Sequence, residues 1–397
     1  MLRIFVLTAV AVCLPVILLA ESGDPQPDPI AIEMPRRFRD GALAAERIPF
    51  GKENDYKPCV VRLKSGVLLA VAFHQYAQEM KVREEMLLFR STDDGQSWSD
   101  GETLDLLGRE PYFSMLDDGT LFLTTHLLDN DVRNELGYTH SYVHRSDDGG
   151  RTWETLRITA GDIPDAPPNS WVLTSRNVLE LETGTLIVGV SAPGGHDYLW
   201  RSVDQGRTWD RSQKCSFDRV DPSKLWWPFH AETVFFQPQN GDLLAIARVD
   251  PRVFPSLPGT MIPEEAGDQV ERMMIFRSEN GGARWKFEQN LGTYGEMYPS
   301  LLRLIDGRLL LTFTARALTP QLGLRAVVGE ESARGIRFNL AQDRIVIDGK
   351  TPPGSASGGG FGPTIQLPDE TLLSVYSYRG ADGKTHLEAA RWYLPPE

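Results

Sequence analysis

The chain has 397 residues, 41% of them hydrophobic, and a formal net charge of −13. That apolar share supports a packed core. The acidic surplus argues against a nucleic-acid partner, because phosphate binding needs a basic surface.

Residues 1–20 place Arg3 before an apolar run that ends at Leu19, Ala20 and Glu21. This reads as a cleavable signal peptide, with an uncleaved anchor as the alternative. Cys13 lies in that run without the small residue that a lipoprotein box needs. Residues 21–40 read as a Pro- and Asp-rich linker. No later stretch is apolar for long enough to span a bilayer, so a secreted or periplasmic protein is expected. Cys59 and Cys215 fall in different repeats and are expected as two buried thiols.

Residues 41–397 carry an internal repeat. STDDGQSW at 91–98 is followed by SDDGGRTW at 146–153, SVDQGRTW at 202–209 and SENGGARW at 278–285. The shared form is S-x-(D/N)-x-G-x-x-W. Asp93, Asp148, Asp204 and Asn280 each offer an acceptor to a tight turn. Gly95, Gly149 or Gly150, Gly206 and Gly282 tolerate positive φ. Each Trp is expected to bury its ring against the next unit.

Two apolar strands joined at a Gly turn precede each phrase. They are 59–63 and 67–72, 112–116 and 120–124, 177–181 and 185–190, and 233–236 and 242–247. Two further pairs lack the phrase: 300–304 with 308–313, and 364–367 with 371–375. A third strand at 387–394 ends the last unit, and residues 44–50 are expected to supply its fourth. Six such units predict an all-β, six-bladed β-propeller of four-stranded antiparallel blades, closed by an N-terminal strand.

Strand parity places the Trp phrases on one face and the functional positions on the other. Strand-one starts contribute Tyr56, Lys57, Glu110, Arg176, His230, Glu232, Glu296, Tyr298 and Phe361. Strand-two ends contribute His74, His126, Arg248, Arg316 and Tyr378. Charge gathered near an apolar core is costly without partners, which points to a pocket. The three histidines lack metal-ligand spacing, so no metal and no cofactor are expected. The insertion at 250–271, broken by Pro251, Pro255, Pro258 and Pro263, reads as a lid or rim.

The repeated phrase resembles the Asp box of the sialidase (neuraminidase, BNR-repeat) superfamily, over roughly residues 44–394. HAETVFF at 230–236 and AIAR at 245–248 resemble the sialidase segment in which a Glu precedes an Arg by 16 residues. The resemblance implies that Glu232 polarises a tyrosine nucleophile and that Arg248 clamps the substrate's carboxylate. Departures are equally plain. Lys57-Pro58 stands where sialidases open blade one with Arg-Ile-Pro. Arg47-Ile48-Pro49 lies nine residues earlier, in the expected closing strand. Arg316 is taken for the third arginine. Phe361 stands where the tyrosine is expected, so Tyr298 is its substitute. Glu79, Glu84 and Glu85 are available as the acid, and Glu84 is chosen.

The expected function is therefore a secreted exo-glycosidase resembling exo-α-sialidases, acting on a terminal, acidic sugar of a glycan or glycoconjugate. Glu232, Tyr298, Glu84 and Glu110 would be catalytic. Glu110 faces Glu232 across the ring, and opposed carboxylates suit glycoside cleavage. Arg248, Arg176, Lys57, Arg316, His74 and His126 would bind substrate. The alternatives are a non-catalytic propeller that binds carbohydrate or protein, and a structural cell-surface protein with no coherent pocket.

Overall fold

The computed structural model describes residues 28–395 except 79, 219–231, 250–270, 317–321, 333–334, 353–357 and 362. The expected signal peptide, Glu79, His230 and all but the last residue of the insertion lie outside the described residues. So do residues 353–357 and 362, on either side of Phe361.

The described residues pair into six sheets, four of them four-stranded. Sheet one runs from the axis outward as Asp55–Arg62, Leu68–Gln78, Lys81–Ser91 and Glu102–Leu104. Sheet two follows as Arg109–Met115, Leu121–Leu127, His140–Ser146 and Glu154–Ile158. In sheet three the inner strand is split. Leu173–Thr174 and Leu179–Glu180 both pair with Leu186–Ala192, which pairs with His196–Ser202. Sheet four is Val234–Phe236, Leu243–Val249, Arg272–Ser278 and Arg284–Leu291, with Ser216–Asp218 added in parallel. All other strand pairs are antiparallel, as short strands joined by tight turns require. Among the described residues the one helical element is a 3-10 turn at Ala160–Asp162.

Sheet five begins Glu296–Arg303, Leu309–Ala315, Gly323–Ser332, Arg344–Val346 and then grows beyond four strands. Ile30–Glu33 pairs with Arg344–Val346, and Ala42–Leu43 pairs with Ile30–Glu33. Residues 30–33 were expected as linker. They form a strand because Ile30 and Ile32 alternate inward and are buried. Sheet six is Thr364–Gln366, Leu372–Arg379, Thr385–Trp392 and Ala45–Phe50. The last pairing, Ala389 with Ile48 among its partners, supplies the expected N-terminal closure. It also puts Arg47-Ile48-Pro49 in the closing strand.

Apolar clusters fill each junction. Leu69 and Leu121 join sheets one and two, Phe122 and Val188 join two and three, and Leu199 and Trp285 join three and four. Ile246 and Leu309, then Leu324 and Tyr376, then Leu373 and Leu68 complete the circuit back to sheet one. Cys59 and Cys215 are free, buried thiols, as expected.

The repeated phrase builds the expected turn. In the second copy Ser146 Oγ donates to Asp148 Oδ1 at 2.8 Å and accepts the Gly150 N–H at 2.9 Å, while Thr152 Oγ1 donates to Asp148 Oδ2 at 2.7 Å. One expectation reverses. Each box packs on the preceding sheet, not the next. Trp98 stacks on Phe50 of sheet six, Trp209 lies edge-on to Phe122 of sheet two, and a Cβ on Gly206 (φ 79°) would fall 2.4 Å from the Phe122 ring. The hairpin overhangs the sheet behind it, so its ring cannot reach forward.

Register fixes the faces. The box serines pair with strand-two starts, as Ser91 with Leu68 and Ser278 with Leu243. His74, His126 and Arg248 lie at the opposite strand-two ends, at the other face.

Candidate functional site

Three inner strands open with the same device. Lys57, Glu110 and Tyr298 each precede a proline and each adopt positive φ, at 47°, 50° and 58°. A non-glycine residue rarely does so, and the residue before proline favours extended backbone. The register slips at each place, between Tyr56 and Cys59, Arg109 and Tyr112, and Met297 and Ser300. These are β-bulges, which turn a side chain out of the sheet's alternation. Phe361 (φ 70°) occupies the same place in sheet six. The strain is held by surrounding contacts. The Lys57 N–H donates to Ser377 Oγ at 3.1 Å, and the Phe361 N–H donates to Thr314 Oγ1 at 3.1 Å.

The side chains so aimed meet. Lys57 Nζ donates to Glu110 and, at 3.1 Å, to the Tyr298 hydroxyl oxygen. Arg316 donates to that same oxygen. Glu110 also lies 3.5 Å from Arg176 and 3.6 Å from Arg109. Arg109 reaches Glu84 at 3.5 Å, and the Gln75 amide donates to Glu84 at 2.6 Å. Glu232 pairs with Arg248 at 2.6 Å and lies 3.9 Å from Arg176. Arg248 also pairs with Glu271. The guanidinium of Arg176 stacks 3.8 Å over the Phe361 ring, and its three nitrogens find no hydrogen-bond partner among the described residues.

Burial and charge split the ionisation states. Burial pushes the Glu84 carboxyl up, and Arg109 and Gln75 offset this only in part. Burial would raise Glu110 too, but Lys57 and then Arg109 hold it well below the usual carboxylate range. Burial lowers Lys57 to about 8 against the pull of Glu110. Burial and the Glu232 charge raise Tyr298 well above an ordinary phenol, with Arg316 opposing. His126 is pushed down to about 3 by burial and is a neutral imidazole. Each shift follows from desolvation against a named partner.

The structure brings most, but not all, of the expected residues together. Lys57, Glu84, Glu110, Arg176, Glu232, Arg248, Tyr298 and Arg316 form one contiguous network. His126 pairs in register with Arg109 at its edge. His74 belongs to a neighbouring pair, its Nδ1 2.8 Å from Asp55 Oδ1. Glu296 turns away to Arg344, and Glu85 pairs with Arg83 in a hairpin nearer solvent. Arg47 serves a separate network, donating to Tyr376 at 2.7 Å and to Glu388 at 3.1 Å. The expected tie from Glu232 to a tyrosine is absent as a hydrogen bond: Tyr298 receives Lys57 and Arg316, while Glu232 faces arginines.

Arg109 and Glu271 were missed in the sequence. Arg109 sits one position before Glu110, where simple alternation points a side chain away from the mouth. The bulge at Glu110 cancels that alternation, and the recurrence of Lys57-Pro58, Glu110-Pro111 and Tyr298-Pro299 was the signal for it. Glu271 is the last residue of the insertion, whose end carries no motif. Among the described residues no group of His, Cys, Asp and Glu is placed to hold a metal ion.

A BNR repeat-like domain matches residues 52–246. No curated protein sequence matches the chain. Among solved structures, a protein of unknown function from Dyadobacter fermentans aligns with a TM-score of 0.63 at 19% identity, over 88% of this chain and 98% of that one. The intramolecular trans-sialidase of Ruminococcus gnavus, bound to oseltamivir carboxylate, aligns with a TM-score of 0.57 at 13% identity, over 86% and 96%. The sialidase of Trypanosoma rangeli bound to the inhibitor DANA gives a TM-score of 0.54 at 14% identity; the alignment covers 87% of this chain and 59% of the trypanosomal one.

Proposed function

Because this chain is a BNR-repeat β-propeller of sialidase-like fold, we propose that its central mouth is the active site of an exo-glycosidase that releases a terminal acidic sugar. In this reading the six sheets are six blades of one ring. The carrying observation is the convergence at one mouth of the Tyr298 oxygen with Lys57 and Arg316 beside two carboxyls shifted in opposite directions, Glu84 up by burial and Glu110 down by Lys57 and Arg109. Groups whose environments push their pKa values apart divide acid and base roles.

Glu84 protonates the leaving oxygen. Tyr298 is the nucleophile, with Lys57 and Arg316 facing its oxygen. Arg248, Arg176 and Arg109 supply the positive field for an acidic sugar, and Glu110 and Glu232 stabilise an oxocarbenium-like centre. His74 and His126 edge the pocket toward sugar hydroxyls. The apolar leader at residues 1–20 supports export, where glycoconjugate substrates are reached.

Release of the aryl group from sialyl and uronyl aryl glycosides by the purified protein tests this. Turnover that is abolished in Tyr298→Phe is the expected result. Absence of turnover on every acidic glycoside offered sinks the assignment.

One observation favours a second reading, a glycan-binding propeller without catalysis. Glu84, Glu110, Glu232 and Glu271 each have a cationic partner. Saturable binding of an acidic glycan with no turnover in wild type selects that reading.

A further inference from the structure

Tyr298 receives two hydrogen bonds, both from cationic side chains, and gives none to any described residue. A phenol held this way has cations beside its oxygen and no carboxylate hydrogen-bonded to take its proton, while burial and the charges of Glu232 and Glu110 keep its hold on that proton strong. The contacts form one line: Glu110, Lys57, Tyr298, Arg316. A proton moved from the phenol to an uncharged Lys57 would leave an ammonium beside Glu110 and a phenolate beside Arg316. Glu110 and Glu232 favour the ammonium and Arg316 and Arg248 the phenolate, while Arg109 and Arg316 oppose the ammonium and Glu232 and Glu110 oppose the phenolate.

We propose that Lys57 is the base that activates Tyr298. The inference rests on the glycosidase reading above and specifies how its nucleophile is made. The Tyr298 O–H bond breaks and the proton moves onto the free electron pair of neutral Lys57 Nζ. The phenolate oxygen then bonds to the anomeric carbon as the bond to the aglycone oxygen breaks. That oxygen takes the proton of Glu84. In the second half, water attacks the anomeric carbon and gives a proton to Glu84. Tyr298 leaves and recovers its proton from Lys57. Lys57 therefore works through a change of charge, and permanent charge at this position is the wrong property.

Lys57→Arg decides between a base and a fixed cation, because a guanidinium keeps charge and donors but does not become neutral. The expected result with aryl glycosides is a kcat about 100-fold lower with KM changed by less than about threefold. An inflection near pH 8 in the kcat/KM profile of wild type should disappear with it. Retained kcat in Lys57→Arg overturns the proposal. A readout free of turnover uses ¹³C-labelled lysine, with the Lys57 Cε resonance assigned by its loss in Lys57→Arg. Its titration midpoint in the wild-type protein is expected near 8, and lower in Glu110→Gln. A midpoint near the ordinary lysine value of about 10.4 overturns the base role. If wild type turns over no glycoside, the function above fails and the titration alone judges the Lys57–Tyr298 pair.

Discussion

Arg176 sits over Phe361, its guanidinium carbon 3.8 Å from the ring centre, while Glu110 and Glu232 approach the same guanidinium at 3.5 Å and 3.9 Å. This cation belongs to sheet three yet joins carboxylates that enter from sheets two and four. Its backbone N–H is fixed by Thr233 O at 2.8 Å. Burial lowers its affinity for the proton, and Glu110 and Glu232 oppose that.

Removing this charge should unbalance the mouth. Arg176→Met leaves two buried carboxylates short of a partner and should cost about 3 kcal/mol in urea unfolding. Adding Glu232→Gln should restore part of the loss, because the two positions share one interaction. Additive losses in the double-mutant cycle would show that Arg176 and Glu232 are uncoupled.

Glu84→Gln should separate substrates by leaving group. A natural glycoside needs a proton on the departing oxygen, and its hydrolysis should slow by about 10²–10⁴. An aryl glycoside with an acidic phenol needs little help and should lose far less. Equal losses on both substrates would remove Glu84 from the acid role.

The far-face turns should be separable from chemistry. Gly206→Ala places a Cβ against Phe122 at a backbone angle of φ 79° and should destabilise by about 1–3 kcal/mol. Activity per folded molecule should not change. A selective fall in kcat with unchanged stability would tie these hairpins to the mouth.

Asp197 gives the protein a pH dependence away from the site. Its carboxyl is fully buried beside Ser191, whose hydroxyl donates to it at 2.6 Å, and burial raises its pKa to about 7. The folded state therefore holds a proton that the unfolded chain has lost above the ordinary aspartate value. Stability from this group is complete at low pH and declines as pH rises from about 4 to about 7. Asp197→Asn should flatten that decline in denaturant midpoints. An unchanged slope in the variant would show that Asp197 does not govern it.

Much of the scaffold was legible in local pattern. Four copies of one turn, each with a serine, an acceptor and a glycine, mark the third-to-fourth-strand hairpins. Paired apolar runs mark the strands between them. The closing strand at Ala45–Phe50 followed from a last unit one strand short. Ile30–Glu33 was not legible, because four residues in a Pro-rich stretch gain strand character only by finding the open edge at Arg344–Val346. The direction of Trp packing was also hidden, since a sequence repeat does not say which neighbour a hairpin overhangs.

The site was legible as a set of residues and illegible as a set of partners. Parity of short strands put Lys57, Glu110, Arg176, Glu232, Arg248, Tyr298 and Arg316 at one mouth, because that rule depends only on alternation along each chain segment. Which oxygen Lys57 meets, why Arg109 joins and why Glu296 turns away depend on bulges that cancel alternation and on side chains from sheets far apart in sequence. The amino-acid order by itself determined the repeating unit and the face on which charge collects. Tertiary structure alone decided the pairing, because contact between separate strands is set by ring closure and by the balance of desolvation against the charges that closure brings together.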